Sequence, residues 1–127
     1  MNKDELIHEI GSKLVKDVGS RNRNWAHLVV VGRIERDQPQ MTGLAYSMDG
    51  EHEPASPRDF DILDLLLELR NVMASADKKA PWRTSLIRIN RDTGEVTFEF
   101  EYDKADRWAI TSKNIKERAK ELSPMKK

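Results

Sequence analysis

Residues 81–103 constrain the fold more than any other part of the chain. They contain two segments of alternating apolar and polar residues, and the second has its apolar side chains at Val96, Phe98, Phe100 and Tyr102. A period of two is typical of a half-buried antiparallel strand. A turn ending in Gly94 joins the segments, and pairing Asn90 with Glu95 places both apolar rows on one face. The segment therefore predicts a β-hairpin with one face exposed to water.

The composition is that of one folded domain. Of the 127 residues, 38% are apolar and 35% are charged, which is enough for a single core inside a highly charged exterior. We expect one domain over residues 1–127, with a disordered tail at about 124–127. The chain contains no cysteine, which excludes disulfides and thiolate chemistry. With no apolar run of membrane-spanning length and no resemblance to a signal peptide at the N-terminus, we expect a soluble, cytoplasmic protein without a membrane partner.

The N-terminal half of the chain predicts a helix followed by two strands. The first helix is predicted from about Asn2, a suitable N-cap, to Val18, because apolar residues recur between them at helical spacing. Residues 25–36 read as a strand, and because residues 28–31 (LVVV) are apolar on both faces, we expect this strand to lie centrally in the sheet. The next segments are a turn, a shorter strand and an acidic loop, at residues 37–40, 43–48 and 49–55 respectively.

The rest of the chain predicts a helix, the hairpin and a last helix. Ser56 followed by Pro57 is typical of a helix start with serine as the N-cap, and this helix continues to about Ala76. A further helix is predicted over residues 112–122. The element order is then α-β-β-α-β-β-α. We expect an α+β fold in which a four-stranded, mainly antiparallel sheet carries its helices packed on one face.

Charge is distributed unevenly along the chain, although 22 basic and 22 acidic residues give a net charge of zero. Residues 49–68 carry seven acids and one base, a balance of −6, whereas residues 104–127 carry eight bases and three acids, a balance of +5. Nucleic-acid-binding proteins usually present a long basic face with aromatic residues. Because the basic excess is confined here to the last helix and tail, we expect no direct nucleic-acid partner.

The sequence offers no arrangement of residues typical of catalysis or cofactor binding. His8, His27 and His52 fall on a predicted helix, strand and loop without the spacing of metal ligands. Motifs of the forms GxxxxGK[ST], GxGxxG and HExxH are absent. We therefore expect a non-enzyme with no catalytic residue, metal or cofactor. The alternative left open is a hydrolase in which His52 and the neighbouring Glu51 and Glu53 bind a metal.

Seven acidic residues form the candidate partner-binding surface. Three of them recur at i, i+3 and i+7 on the second helix, so they project from one side, and the others lie in the preceding loop or at the helix start. The set is Asp49, Glu51, Glu53, Asp59, Asp61, Asp64 and Glu68. A patch of negative charge favours a basic partner and increases the rate of association. The alternative is a solvated helix face with acids near the helix N-terminus.

Several segments of the C-terminal half together resemble a known family. They are Leu63–Val72 (LDLLLELRNV), Pro81-Trp82, Thr84–Leu86, residues 94–103 (GEVTFEFEYD), Arg107-Trp108, Asn114 and Leu122–Pro124. This set resembles the YezG-type immunity (antitoxin) proteins of bacterial toxin systems. The match covers about residues 60–124, while the N-terminal half matches mainly in element order. Arg83 departs from relatives in which threonine directly follows the tryptophan.

The resemblance implies a non-enzymatic inhibitor encoded beside a toxin that is often a nuclease, and it transfers no toxin-contact residues. An acidic surface suits that role, since carboxylates can occupy a cleft built to bind phosphates. The sequence therefore predicts an immunity protein that binds the C-terminal domain of a cognate toxin and is a monomer or weak homodimer when free. The alternative is a structural or adaptor module, or a homodimer of another role.

Overall fold

A computed structural model describes residues 1–78 and 80–124, which form three helices and five strands. Apart from Pro124, the tail predicted at 124–127 lies outside the described residues. The elements are, in chain order, α1 (Lys3–Asp17), β1 (His27–Glu35), β2 (Gln38–Tyr46), β3 (His52–Pro54), α2 (Phe60–Asp77), β4 (Thr84–Asn90), β5 (Val96–Glu101) and α3 (Ile115–Leu122).

The first helix begins where the sequence predicts. The side chain of Asn2 accepts a hydrogen bond from the Glu5 amide at 2.9 Å, and the Glu5 carboxylate accepts one from the Asn2 amide at 3.1 Å. This reciprocal capping box satisfies two amides that have no partner inside the helix. The predicted N-cap at Asn2 is therefore confirmed.

The sheet is antiparallel throughout, with the strand order β3-β2-β1-β4-β5. The predicted central position of β1 is confirmed, because this strand pairs with β2 on one side and β4 on the other. The register of the predicted hairpin is also confirmed: Ile87 lies opposite Phe98, and the Asn90 amide donates to the Glu95 carbonyl at 2.9 Å. The expectation that one face of the hairpin is exposed to water holds only for β5, because Leu86 of β4 is buried in the apolar cluster under α3. Gly94 closes the turn at a φ of +73°, which favours glycine.

The expectation of four strands in the order α-β-β-α-β-β-α is wrong. A fifth strand, β3, lies within the predicted acidic loop and pairs with β2, so that His52 is opposite Tyr46 and Pro54 is opposite Leu44. All three of its side chains are exposed. A strand of three exposed residues has no alternating burial, and its sequence therefore carries no period-two pattern.

The expectation that all helices pack on one face of the sheet is also wrong. α1 and α2 cover one face, where their buried residues Ile10 and Leu66 join alternate residues of β1, such as Leu28, in one apolar cluster. α3 packs on the opposite face, where Ala119 and Leu122 join the other alternate residues of β1 in a second cluster. Because β1 is apolar on both sides, each face of the sheet needs its own cover.

Two side chains of the sheet hold α3 in place. The buried Tyr46 hydroxyl donates to the Ala119 carbonyl at 2.7 Å, and the Arg88 guanidinium donates to the Leu122 carbonyl at 3.1 Å. A cation at the C-terminus of a helix also interacts favourably with the helix dipole. Burial raises the pKa of Tyr46 to about 12, so the hydroxyl remains a donor at neutral pH.

Three predicted boundaries are corrected by the structure. α2 is capped by Asp59, which accepts from the Asp61 amide at 2.9 Å, whereas the Ser56 hydroxyl accepts from the Gly43 amide at 3.3 Å. α3 begins at Ile115, three residues later than predicted. The β1–β2 turn consists of two residues with left-handed backbones at 36–37, and the strand resumes at once.

A glycine in the central strand sets how closely α2 approaches the sheet. A Cβ atom added to Gly32 would lie 2.8 Å from Cδ2 of Leu66 and 2.9 Å from Oγ of Ser85. Leu66 is fully buried, so it packs directly on the backbone of β1. The absence of a side chain at position 32 therefore allows this contact.

We expect Gly32→Ala to destabilise the protein by about 1–3 kcal/mol through overpacking, and Leu66→Ala to cost about 2–5 kcal/mol through loss of a buried side chain. The double variant should cost less than the sum, because the new methyl group fills part of the space that Leu66 leaves. Urea denaturation of the wild type and the three variants measures this, and strictly additive costs would contradict the packing described.

We expect Tyr46→Phe to lower the free energy of unfolding by about 1 kcal/mol at neutral pH, because a buried hydrogen bond is lost. The pKa of Tyr46 is raised from 10.0 to about 12 in the folded state, so the wild type loses stability as the pH rises through this window. The phenylalanine variant lacks that loss, and the two stabilities should converge above about pH 10. Chemical denaturation from about pH 7 to about pH 11 tests this, and a constant difference would contradict it.

Candidate functional site

The exposed side of α2 carries the helical part of the predicted acidic surface. Asp61, Asp64 and Glu68 are all exposed, and they lie within one strip along the helix. Phe60 borders the strip on one side, and its side chain is 79% exposed. Leu65 borders it on the other side and is half-buried. We call Asp61, Asp64 and Glu68 the acidic strip.

An open groove runs beside the acidic strip, between α1 and α2. The half-buried Leu65 and Val72 form its apolar lining on α2, whereas Leu67, about 200° from Leu65 around the helix, lies on the far side of the acidic strip. The acidic strip lines the α2 side, while Glu9 and Lys13 of α1 line the other and form an ion pair at 3.8 Å. The groove therefore combines an apolar lining with negative charge along one border.

The charge of the acidic strip is not neutralised by the residues that the structure describes. Within that part of the chain, none of the three carboxylates forms an ion pair, and none accepts a side-chain hydrogen bond. By contrast, Glu101 lies 2.8 Å from Arg107, and Glu121 lies 2.9 Å from Arg118. As far as residues 1–78 and 80–124 are concerned, the negative charge of the strip is therefore uncompensated.

The remaining acids of the predicted surface lie elsewhere, and three of them have internal partners. Glu53 accepts from the Asn22 amide group at 2.6 Å, and Asp59 caps α2. Asp49 accepts from the Ser47 hydroxyl and from the Glu51 amide, and these hydrogen bonds hold the pKa of the Asp49 carboxyl below its usual value.

Glu51 and Asp49 line a different groove from the acidic strip. This second groove lies at the end of the sheet, and Arg23 and Arg91 line it together with the two acids. Its charges are therefore of both signs. The structure brings the acidic strip together on α2, and it leaves the other four acids outside the α1–α2 groove; these are Asp49, Glu51, Glu53 and Asp59.

One carboxylate fixes the start of α2 against the end of α1. Asp17 accepts from the backbone amides of Arg58 and Asp59, at 2.6 and 3.0 Å. Arg21 lies 3.4 Å from the same carboxylate and also donates to the Ser56 carbonyl at 2.9 Å. A carboxylate bound to these amides suits the positive end of the helix dipole. The orientation of α2, and with it the side on which the acidic strip is exposed, therefore depends on the contact between Asp17 and the start of α2.

The high apolar content of α2 does not show which way Phe60 points, although the angular positions of its residues do. This residue adds to the apolar content of the helix, yet its side chain points to solvent beside the acidic strip. The helical period contains the necessary information: Leu69 follows Phe60 by nine residues, which places the two about 180° apart at about 100° per residue. Since Leu69 is fully buried, Phe60 faces outward.

Three exposed lysines lie across the sheet from the acidic strip. Lys113, Lys116 and Lys120 are exposed on α3 and the segment before it, and α3 covers the face opposite to α1 and α2. The same face also carries the exposed acids Glu99, Glu117 and Glu121, so its charges are of both signs.

The three histidines are not gathered into one site. His8 is exposed on α1, His27 is half-buried on β1, and His52 is exposed on β3. Among the described residues, no group of three or more histidines and carboxylates is placed to hold a metal ion. Of residues 1–78 and 80–124, no helix is both long and apolar enough to cross a bilayer.

No family model and no curated protein matches the chain.

We expect Asp17→Ala to lower the free energy of unfolding by about 1–2 kcal/mol, as for loss of a helix cap. The amides of residues 58 and 59 would lose their acceptor, so hydrogen exchange should become faster at the start of α2. Asp92→Ala is the control, because Asp92 is an exposed turn residue, and should change stability by less than about 0.5 kcal/mol. Equal effects of the two substitutions would contradict the role of Asp17.

Proposed function

We propose that this protein is an immunity protein, which binds and neutralises the toxin domain encoded beside it and makes or breaks no covalent bonds. The observation that carries the proposal is the acidic strip of α2, whose three carboxylates have no ion pair among the described residues and border an apolar groove. Apolar contacts supply affinity, and unpaired charge selects a partner of opposite sign. The likeness of residues 60–124 to YezG-type proteins supports the same class.

The partner that suits this surface is a basic protein domain. A nuclease presents lysine and arginine to the phosphates of its substrate, and carboxylates spaced along a helix can bind those side chains instead. Occupation of a basic cleft would then exclude the nucleic acid. The acidic strip itself would repel nucleic acid, which agrees with a protein partner.

In the free state, we propose that the chain is mainly monomeric. β5 is an edge strand, and edge strands can pair with a second copy. One face of β5 carries Glu99 and Glu101, with Glu95 just before the strand. Antiparallel pairing of two copies would bring these carboxylates to one face, and like charges across strands are destabilising.

The test is reversal of the acidic strip in the triple variant Asp61→Lys, Asp64→Lys and Glu68→Lys. Binding to the co-encoded toxin domain should weaken by about 10- to 100-fold, since each exposed charge pair contributes up to about 1 kcal/mol and reversal adds repulsion. Calorimetry measures the affinity. Association of the wild type should also slow as salt rises.

The charge-matched control is the triple variant Asp92→Lys, Glu95→Lys and Asp106→Lys, in the β4–β5 turn and in the segment that precedes α3. It changes the net charge by the same amount on exposed residues distant from α2. This control should retain affinity and should rescue growth when co-expressed with the toxin domain. Equal weakening by both triples, or unchanged binding of the α2 variant, would show that the acidic strip is not the binding surface.

A further inference from the structure

We infer that the α1–α2 groove receives an amphipathic helix of the partner, with the apolar side of that helix on the groove lining and its lysines or arginines toward the acidic strip. This inference rests on the proposed function and adds to it the kind of structural element that is bound. It concerns the groove lined by Leu65, Val72 and the acidic strip.

The dimensions of the groove fit a helix. Its lining on α2 extends from Asp61 to Ala76, which corresponds to about 22 Å at 1.5 Å per residue. A helix of about four turns has this length. α1 forms the opposite wall, and its C-terminal end meets the start of α2 through Asp17. Two adjacent helices leave a shallow channel between them into which the side chains of a third helix can pack.

The charges of the groove specify one flank of that helix. The acidic strip borders the α2 side, whereas the α1 side carries the Glu9–Lys13 ion pair. Basic residues are therefore needed along one flank only. Because Asp61, Asp64 and Glu68 follow helical spacing, basic residues spaced at one helical face can reach all three.

An extended strand does not suit this groove. A strand is bound mainly through backbone hydrogen bonds to an unpaired strand edge. The walls here are helices, whose backbone groups are bonded within each helix except at the ends. The edges of the sheet, β3 and β5, lie elsewhere. The groove therefore offers side-chain contacts, which is how an amphipathic helix is bound.

A second copy of the chain is also a poor occupant. Its own α2 would place carboxylates against the acidic strip, and like charges repel. The more basic helix, α3, has Ala119 and Leu122 buried against the sheet, and Tyr46 and Arg88 bind its carbonyl groups. The apolar side of that helix is therefore already in use within its own chain. The occupant is accordingly a helix of a different protein.

The absence of cysteine allows a direct test by disulfide trapping. Ser75→Cys places a thiol in the groove, and Ser12→Cys places one in the separate groove between α1 and the β4–β5 hairpin. The probe is a peptide of about four helical turns, with leucines at helical spacing, lysines along one flank and an activated cysteine at either end. We expect trapping by the Ser75→Cys variant to be about tenfold faster, as a difference of about 1.4 kcal/mol implies.

Two matched probes and one groove variant make the test specific. A peptide of the same composition with leucine and lysine in strict alternation should be trapped about tenfold more slowly, because it does not form the apolar stripe of a helix. Adding Leu65→Gln to Ser75→Cys should remove the advantage of the helical peptide. Equal trapping of the two peptides, or equal trapping at Ser12→Cys, would overturn the inference.

Two further outcomes separate this inference from the proposed function. If the helical peptide is not trapped while toxin binding still depends on the acidic strip, the inference fails and the proposed function stands. If reversal of the acidic strip leaves toxin binding unchanged, the proposed function fails. Rapid formation of a disulfide-linked dimer by Ser75→Cys without peptide, when a thiol oxidant is added, would assign the groove to a second copy and would overturn the inference.

Discussion

The central strand β1 carries apolar side chains on both faces, and most of the architecture follows from the need to bury them. Leu28 and Val30 face α1 and α2, while Val29 and Val31 face α3. α1 and α2 cover only one face of the sheet. The segment after β5 therefore has to cover the opposite face. α3 does so, with Tyr46 as one of its anchors. The outer sides of α1 and α2 consequently remain in contact with solvent.

That exposed layer has a defined geometry because α1 and α2 are joined at one end. Asp17 binds the amides at the start of α2, and Leu66 packs on the backbone at Gly32. The first contact fixes where α2 begins, and the second fixes how deeply it lies on the sheet. The position of the acidic strip relative to α1 is thus a consequence of the core and of the helix junction.

The parts of the fold that could be predicted are those with a long regular period. Alternation over residues 96–101 predicted the hairpin and its register, and the apolar run in β1 predicted the central strand. β3 has only three exposed residues and thus no period. The β1–β2 turn uses Arg36 and Asp37 with positive φ, where glycine or asparagine is typical, and Arg70 of α2 pairs with Asp37. The sequence predicted a last helix over residues 112–122 but did not show which face of the sheet that helix covers.

The same limit applies to the candidate site: only the residues that follow a regular period could be placed from the sequence. The acidic strip could be placed on one side of α2 because helical spacing alone determines it, whereas the positions of Asp49 and Glu53 depend on a turn and on the short strand β3. Ser56 before Pro57 is a local sequence pattern that predicts Ser56 as the N-cap of α2. The structure has Asp59 as the N-cap, where the amide of Asp59 donates to Asp17 of α1. Charge density along a sequence therefore overstates the size of a surface, because some of the carboxylates in a dense segment serve the fold itself.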